Sequence, residues 1–328
     1  MSEIIEITAA RARQAAERID DFIIHTPLQR SEAFSADLDA SVYFKLENLQ
    51  ATGSFKLRGA TNRLLTLLDE QRSKGCVAAS SGNHGAAVAC AMQKLDASGV
   101  IFVPEQTSPA KVEAIRSYGG DIRFFGTDGL DTEQHARTYA DHNGMFYLSP
   151  YNDEQVIAGQ GSCGVEIVEQ LPEVDAAFIA VGGGGLIGGV GSVLKTHNSD
   201  IQIYACQPGA SAVMAHSIEA GEILDLESEP TLSDGTAGGI ESNAVTFPLN
   251  QEVVDEFVLV DEEQIAAAMR LYMDREGHTI EGAAGVAIAG MLARREEIAG
   301  KVVLVIICGG NISEDTLQRV RKAPKGSG

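Results

Sequence analysis

Short apolar runs alternate along this chain with longer stretches of helical periodicity. Strands buried on both faces of a parallel sheet show such continuous runs, without alternation of apolar and polar positions. Because helical patterns separate the runs, their order predicts βαβ units and an α/β fold with open, mostly parallel sheets flanked by helices. The predicted strands are VYFKLE at 42–47, CVAA at 76–79, GVIFV at 99–103, IRFF at 122–125, AAFIAV at 176–181, IQIYAC at 201–206 and VVLVII at 302–307.

Two further stretches carry local signals. Ser108 followed by Pro109 predicts a capped helix start, and Gly119-Gly120 predicts the end of that helix. Residues 221–248 combine acidic residues, glycine and proline without periodicity. They predict a long excursion across one face of the sheet, and excursions of this length often carry function.

Composition and charge narrow the class of protein. A chain of 328 residues with 44% hydrophobic content can bury a sizeable core and suits two lobes. Its formal net charge of -21 would repel nucleic acid and anionic membrane surfaces, so we expect neither as a partner. We also find no secretory signal and no apolar run long enough to span a membrane.

The cysteine pattern points to a reducing compartment. The chain has five cysteines, an odd number, which are widely spaced and include no C-x-x-C pair. This pattern favours neither a disulfide framework nor a zinc site, and we expect a cytoplasmic protein.

The stretch TGSFKLRGA at 52–60 places Lys56 beside Phe55 at the start of an amphipathic helix. A lysine that forms a Schiff base needs an amine whose charged form is disfavoured. A helix N-terminus or an aromatic neighbour that excludes water would lower its pKa. Taken alone, however, a lysine is more often a surface side chain whose stem lies on apolar neighbours.

The stretch SSGNHG at 80–85 follows a predicted strand and opens a helix. Small hydroxyl residues and glycine at such a turn expose several backbone N–H groups, which suits a carboxylate. An ordinary capped turn explains the same residues equally well. His84 has no metal-ligating residue at ligand spacing, so we predict no metal there.

The stretch VGGGGLIGG at 181–189 lies directly between a predicted strand and a helix. Consecutive glycines let the backbone wrap a phosphate in front of a helix N-terminus. The spacing of Gly183, Gly185 and Gly188 also matches G-x-G-x-x-G, but the next predicted strand ends in Cys206-Gln207, without the acid that a nicotinamide site uses. We therefore predict a phosphate cradle, and tight glycine packing is the alternative.

The stretch CGGNIS at 308–313 also follows a predicted strand, at the end where open α/β sheets bind ligands. Cys308 could face a ring nitrogen there, although a cysteine in this place is more often simply packed. A reactive lysine, an anion-binding turn and a phosphate cradle, all predicted at strand ends of one sheet, are together what an amino acid bound to pyridoxal phosphate needs.

Several motifs resemble the fold-type II pyridoxal-phosphate enzymes, specifically the group of threonine dehydratases, serine dehydratases and serine racemases. The resemblance spans nearly the whole chain and implies a two-lobed fold like the tryptophan synthase β subunit. It implies a large cofactor-binding domain of residues 1–50 and 151–328 and a small domain of residues 51–150. The motifs are KLENLQATGSFKLRGA at 45–60, SSGNHG at 80–85, VIAGQG at 156–161, the glycines at 182–185, EGAAGVA at 281–287 and CGGN at 308–311.

The resemblance also implies residue roles. Lys56 would carry pyridoxal phosphate as a Schiff base, Phe55 would pack against its ring, and Asn83 would contact the ring hydroxyl. The phosphate would lie on the cradle of Gly182, Gly183, Gly184, Gly185 and Leu186, and Cys308 would meet the ring nitrogen. The carboxylate of the substrate would be bound by Ser80, Ser81, Gly82, Asn83 and His84.

The implied reaction is the removal of water and ammonia from L-threonine or L-serine, giving a 2-oxo acid, with Lys56 as the base at Cα. Ser81 matches the acid/base serine of the racemases, so amino acid racemisation is one alternative. Gln207 and Val213 stand where racemases have carboxylate metal ligands, so no carboxylate metal site is expected. Relatives of this kind suggest a homodimer.

Three other functions are alternatives to this one. The first is a dehydratase of 3-hydroxyaspartate or of a hydroxyectoine breakdown product; a second substrate carboxylate would need a basic partner that the sequence does not identify. A pyridoxal-phosphate or amino-acid binding module without turnover is disfavoured by Lys56, Ser81 and Asn83. A nicotinamide-dependent oxidoreductase is disfavoured by Gln207.

Overall fold

A computed structural model describes residues 1–322, which form alternating strands and helices. The strands are β1 (Leu28–Arg30), β2 (Ser41–Lys45), β3 (Cys76–Ala79), β4 (Gly99–Val103), β5 (Asp121–Phe124), β6 (Phe146–Tyr147), β7 (Ala176–Ala180), β8 (Gln202–Pro208), β9 (Glu256–Val260) and β10 (Val302–Ile306). The α-helices are α1 (Glu3–Ile19), α2 (Glu32–Leu38), α3 (Lys56–Leu65), α4 (Asp69–Lys74), α5 (Asn83–Lys94), α6 (Pro109–Arg116), α7 (Gly129–Asn143), α8 (Glu154–Gln170), α9 (Gly185–His197), α10 (Val213–Ala220), α11 (Thr246–Val253), α12 (Glu262–Glu276), α13 (Gly282–Ala293) and α14 (Glu314–Lys322).

The strands form two sheets. The larger has six strands in the order β1-β2-β10-β7-β8-β9, and the smaller has four in the order β5-β4-β3-β6. Only β1 and β2 pair antiparallel, and every other neighbouring pair is parallel. The predicted α/β fold with mostly parallel sheets is therefore confirmed.

The two sheets come from different parts of the chain. The four-stranded sheet uses strands within residues 76–147, whereas the six-stranded sheet uses strands within 28–45 and 176–306. The predicted domain boundaries near residues 50 and 150 fall between these groups, and the division into two domains stays a prediction. Residues 323–328 of the predicted large domain lie outside the described residues.

Each of the predicted strands is present, with small differences at the ends. The strand predicted at 42–47 ends at Lys45, and a short 3-10 turn of Glu47–Leu49 follows it. Ser108 caps α6 by accepting from the backbone of Lys111, as the local pattern predicts. The prediction that the excursion lasts to Pro248 is wrong, because α11 begins at Thr246 and proline is tolerated in the first turn of a helix.

Close helix packing places the start of α3, where Lys56 lies. Helix α8 crosses α3 so closely that a Cβ on Gly159 would lie 2.6 Å from the carbonyl oxygen of Arg58 and 2.6 Å from Cα of Gly59. Gly159 of the VIAGQG motif is thus required by this helix crossing, whereas Gly161 of the same motif lies against Ala12 of α1 and Gly189 of α9. All five cysteines are buried and unpaired. None of the helices within residues 1–322 is long and apolar enough to cross a membrane.

Candidate active site

A cavity of about 860 Å³ lies where strands of both sheets end. The segments that follow β3, β7 and β10 all contribute to its wall. The prediction that the motifs lie at strand ends of one sheet is wrong, because β3 belongs to the four-stranded sheet and β7 and β10 belong to the six-stranded sheet. Every site residue predicted from the sequence lines this cavity, and their contacts with a cofactor or substrate stay predictions. These residues are Phe55, Lys56, Ser80, Ser81, Gly82, Asn83, His84, Gly182, Gly183, Gly184, Gly185, Leu186 and Cys308.

Lys56 is the first residue of α3 and its amine lies inside the cavity. The amine donates a hydrogen bond to the carbonyl oxygen of Pro150 at 2.9 Å and lies 5.1 Å from the ring centroid of Phe55. Burial lowers the pKa of Lys56 to about 8, against the opposing effect of Cys308 and Glu281. The neutral amine is therefore well populated near pH 8, as a carbonyl-attacking nucleophile requires.

The segment before Lys56 is held by the segment after β10. The backbone N–H of Phe55 donates to the carbonyl of Cys308 at 3.1 Å, and that of Gly310 donates to Gly53 at 2.9 Å. Lys56 and the CGGN motif, far apart in sequence, therefore form one rigid part of the cavity wall.

The turn between β3 and α5 carries the predicted carboxylate-binding residues. Its His84 is buried, and the ring Nε2 lies 2.9 Å from the carbonyl oxygen of Leu148. Because a carbonyl can only accept, Nε2 carries the proton. Burial lowers the pKa of His84 to about 3, so the imidazole is neutral. Anion binding at this turn would thus rely on backbone N–H groups and hydroxyls, without a charge from His84.

The glycine loop between β7 and α9 has no room for side chains. Gly184 has a φ of +82°, and a Cβ there would lie 1.9 Å from Nδ2 of Asn250. A Cβ on Gly183 would lie 2.3 Å from the ring of Tyr151. A loop of bare backbone at the start of α9 suits a phosphate group. With the amine of Lys56 in the same cavity, these residues fit pyridoxal phosphate.

Glu281 is a cavity residue to which the sequence pattern assigned no role. It directly precedes α13, is 5% exposed, and its Oε1 lies 4.0 Å from Sγ of Cys308. Burial raises the pKa of Glu281 to about 7 and holds that of the Cys308 thiol well above its usual range. In sequence, a glutamate before a run of small helical residues is typical of an ordinary helix N-terminus, so only the fold reveals this site.

An ion pair stands at the mouth of the cavity. Lys111 of α6 lies 3.3 Å from the carboxylate of Asp234, which belongs to the excursion. Within residues 1–322, the cavity wall contains two lysines, Lys56 and Lys111, and no arginine. The basic partner that a second substrate carboxylate would need is therefore Lys111, and Asp234 already neutralises it.

Comparison with known proteins places the chain among enzymes that use pyridoxal phosphate. A family model described as pyridoxal-phosphate dependent enzyme matches residues 19–309. An L-threonine ammonia-lyase of Thermotoga maritima is 35% identical over 314 residues, which cover 96% of this chain and 78% of that protein.

Two solved structures extend the likeness to three dimensions. The processed form of threonine deaminase isoform 2 from Solanum lycopersicum superposes with a TM-score of 0.93 at 34% identity, covering 98% of this chain and 93% of that one. Maize serine racemase superposes with a TM-score of 0.88 at 32% identity, covering 95% and 96%.

Proposed function

The chain belongs to the family of pyridoxal-phosphate dependent enzymes, and on that premise we propose that it is an ammonia-lyase for a small 3-hydroxy amino acid. L-Threonine and L-serine are the proposed substrates, and a 2-oxo acid and ammonia are the products. The observation that carries the proposal is the enclosed, low-pKa amine of Lys56 in one cavity with a bare glycine loop and an anion-binding turn.

We assign the cofactor contacts to the residues that line the cavity. Lys56 would hold pyridoxal phosphate covalently, and Gly182 to Gly185 would hold its phosphate. Phe55, Asn83 and Cys308 would face its ring. When bound, the cofactor supplies an electron sink for negative charge at Cα of the substrate.

The chain's own residues then determine which reaction follows. The amine of Lys56 has a pKa of about 8 and is neutral above that pH, and it is the base that removes the Cα proton. The thiol of Cys308 stays protonated and uncharged, because burial raises its pKa well above the usual range. Unlike a carboxylate, this thiol would not hold the ring nitrogen of the cofactor protonated. Negative charge at Cα would then be short-lived, and rapid loss of the β-hydroxyl would be favoured.

The mouth of the cavity favours substrates with one carboxylate. Lys111, 46% exposed in its side chain, is already paired with Asp234.

We expect Asp234→Asn to raise kcat/KM for 3-hydroxyaspartate relative to threonine about fivefold, since an exposed ion pair contributes up to about 1 kcal/mol. Coupled assays of 2-oxo acid with both substrates would measure it. Adding Lys111→Met should abolish the gain, and an equal gain in the double variant would contradict this role.

Racemisation is the second candidate, because half-buried Ser81 lines the same cavity. If Ser81 is the second acid/base, Ser81→Ala removes D-serine formation from L-serine and retains 2-oxo acid formation. Chiral analysis of the product separates the two reactions.

The homodimer and the cytoplasmic location that we expect from the sequence belong to the proposed function as well, and light scattering of the purified protein would test the dimer.

The decisive experiment uses the purified protein with added L-threonine or L-serine. We expect a visible cofactor absorption band and 2-oxo acid production, followed with a coupled reductase, both lost in Lys56→Ala. A band without 2-oxo acid from either substrate would reject the proposed reaction.

A further inference from the structure

A buried carboxylate lies in the floor of the cavity, where both sheets contribute to the wall. Glu281 is 5% exposed and accepts hydrogen bonds from Nδ2 of Asn83, which lies 2.9 Å from each carboxylate oxygen. The backbone N–H of Asn311 donates to Oε2 at 3.3 Å. Asn83 begins α5 beside the four-stranded sheet, whereas Glu281 and Asn311 belong to segments beside the six-stranded sheet.

The surrounding backbone leaves space for this carboxylate. A Cβ on Gly309 would lie 2.5 Å from Oε1 of Glu281 and 2.7 Å from Oε2. The space that a side chain at the first glycine of CGGN would need is therefore occupied by the carboxylate of Glu281 from another motif. The glycine in CGGN and the glutamate in EGAAGVA thus form one structural unit.

The contacts determine which way the amide of Asn83 faces. Above a pH of about 7 the carboxylate of Glu281 is ionised and only accepts hydrogen bonds, so the NH2 group of Asn83 faces it. Its Oδ1 then accepts from Nδ2 of Asn311 at 2.7 Å, and the same Nδ2 lies 2.8 Å from the carbonyl oxygen of Thr52. Glu281, Asn83 and Asn311 therefore form a directed chain that reaches the segment just before Lys56.

This arrangement leaves one group of Asn83 for a ligand. The amide nitrogen has two hydrogens and lies 2.9 Å from each oxygen of Glu281, its acceptors among the described residues. Since the two distances are equal, one N–H can bridge both oxygens, and the other N–H then remains for a ligand. A donor directed at the ring hydroxyl of the cofactor would favour the ionised, oxyanion form of that hydroxyl. A flipped amide would present Oδ1 instead and would favour the protonated hydroxyl.

We propose that Glu281 is a positioning residue that fixes the amide of Asn83 with its N–H toward the cofactor ring. The proposal rests on the cofactor contact assigned to Asn83 above and does not depend on which amino acid is the substrate. It gives the EGAAGVA motif a role in setting the state of the cofactor.

The test compares two variants of the full-length protein loaded with pyridoxal phosphate. Glu281→Gln keeps the volume but turns one carboxylate oxygen into a donor that faces another donor, and Glu281→Met removes the acceptor. We expect both variants to move bound cofactor absorbance from the longer-wavelength toward the shorter-wavelength band. The Kd for pyridoxal phosphate should rise about tenfold or more, the effect of losing one charge-assisted hydrogen bond.

Glu276→Gln is the matched control. Glu276 is a half-buried glutamate of the same lobe that accepts from Ser31 and Gln29, and it does not line the cavity. This variant should keep both the wild-type band and the wild-type Kd.

A double-mutant cycle shows whether Glu281 acts through Asn83. In an Asn83→Ala background, Glu281→Gln should change the band and the Kd little further. Additive effects, or a wild-type band and Kd in both Glu281 variants, would overturn the proposal. A protein that shows the band shift but forms no 2-oxo acid would reject only the reaction proposed above.

Discussion

At the scale of the residue, Lys56 combines a reactive amine with an environment that lowers its pKa to about 8. A free lysine titrates near pH 10.4, so burial increases the neutral fraction at physiological pH. That neutral fraction is what captures an aldehyde.

We therefore expect the rate of cofactor capture by the cofactor-free protein to rise with pH and to level off above about pH 8. The sign follows from the amine, since only its deprotonated form attacks and a lowered pKa makes that form available at lower pH. Stopped-flow absorbance after mixing with pyridoxal phosphate measures the rate. An inflection near the pKa of an ordinary lysine would show that the cavity does not perturb Lys56.

The place of Cys308 in the cavity could be predicted because its motif follows a strand end, where this class of sheet binds ligands. The place of Lys56 could be predicted from its motif at a helix start and from the family resemblance. The neutral state of His84 could not, since it depends on burial and on the Leu148 carbonyl. Nor could the role of Glu281, which contacts Asn83 only because two distant helix starts meet in the folded chain.

At the scale of the element, the loop from β7 to α9 shows how backbone shape makes a binding surface. Gly183 packs directly against the ring of Tyr151, so any side chain would push the two apart. The loop would then lose the shape that its bare backbone gives it.

Gly183→Ala should therefore weaken binding of pyridoxal phosphate about fivefold or more, because overpacking of about 1–3 kcal/mol must be relieved by moving the loop. The control is Gly239→Ala, where a Cβ would meet no atom within 4 Å. Equilibrium dialysis followed by cofactor absorbance gives both affinities. Equal affinities for the two variants would mean that Tyr151 moves freely and that the loop is not constrained.

Strands with a continuous apolar run could be predicted from the sequence, whereas β1, β6 and β9 were not predicted. Strands β1 and β6 have three and two residues, too few to show a pattern. The sequence EFVLV of β9 begins with a glutamate and has an exposed Leu259, as expected of a strand at the edge of the sheet. The long excursion was recognised by its lack of periodicity, but its contact with Lys111 depends on the fold.

At the scale of the whole molecule, a buried ion network joins the helix that carries Lys56 to the six-stranded sheet. Arg58 forms two hydrogen bonds of 2.8 Å with Glu47, and its Nη1 lies 2.6 Å from Glu166. Lys45 of β2 lies 2.6 Å from the same Glu166. Burial alone would raise the pKa of Glu47, but Arg58 and Lys45 outweigh it and the pKa is lowered. The network is therefore charge-balanced.

Arg58→Met should destabilise the protein by about 3–5 kcal/mol, because it leaves an excess negative charge without contact to water. Arg63→Met on the same helix is the control, since its ion pair with Asp153 is partly exposed. The loss of stability in this control variant should be clearly smaller. Urea unfolding of both cofactor-loaded variants measures the difference. A similar loss in both would mean that the buried network adds nothing beyond a partly exposed ion pair.

Strand order has a consequence for how the chain is made. Strand β10 is the last strand along the chain, yet it lies between β2 and β7 in the middle of the larger sheet. While the ribosome still holds that segment, β2 and β7 have no neighbour on their facing sides, and the two halves of the sheet cannot join. The four-stranded sheet is encoded without interruption and can assemble earlier. Cofactor loading therefore awaits the synthesis of β10, because the CGGN segment that follows this strand forms one wall of the cavity.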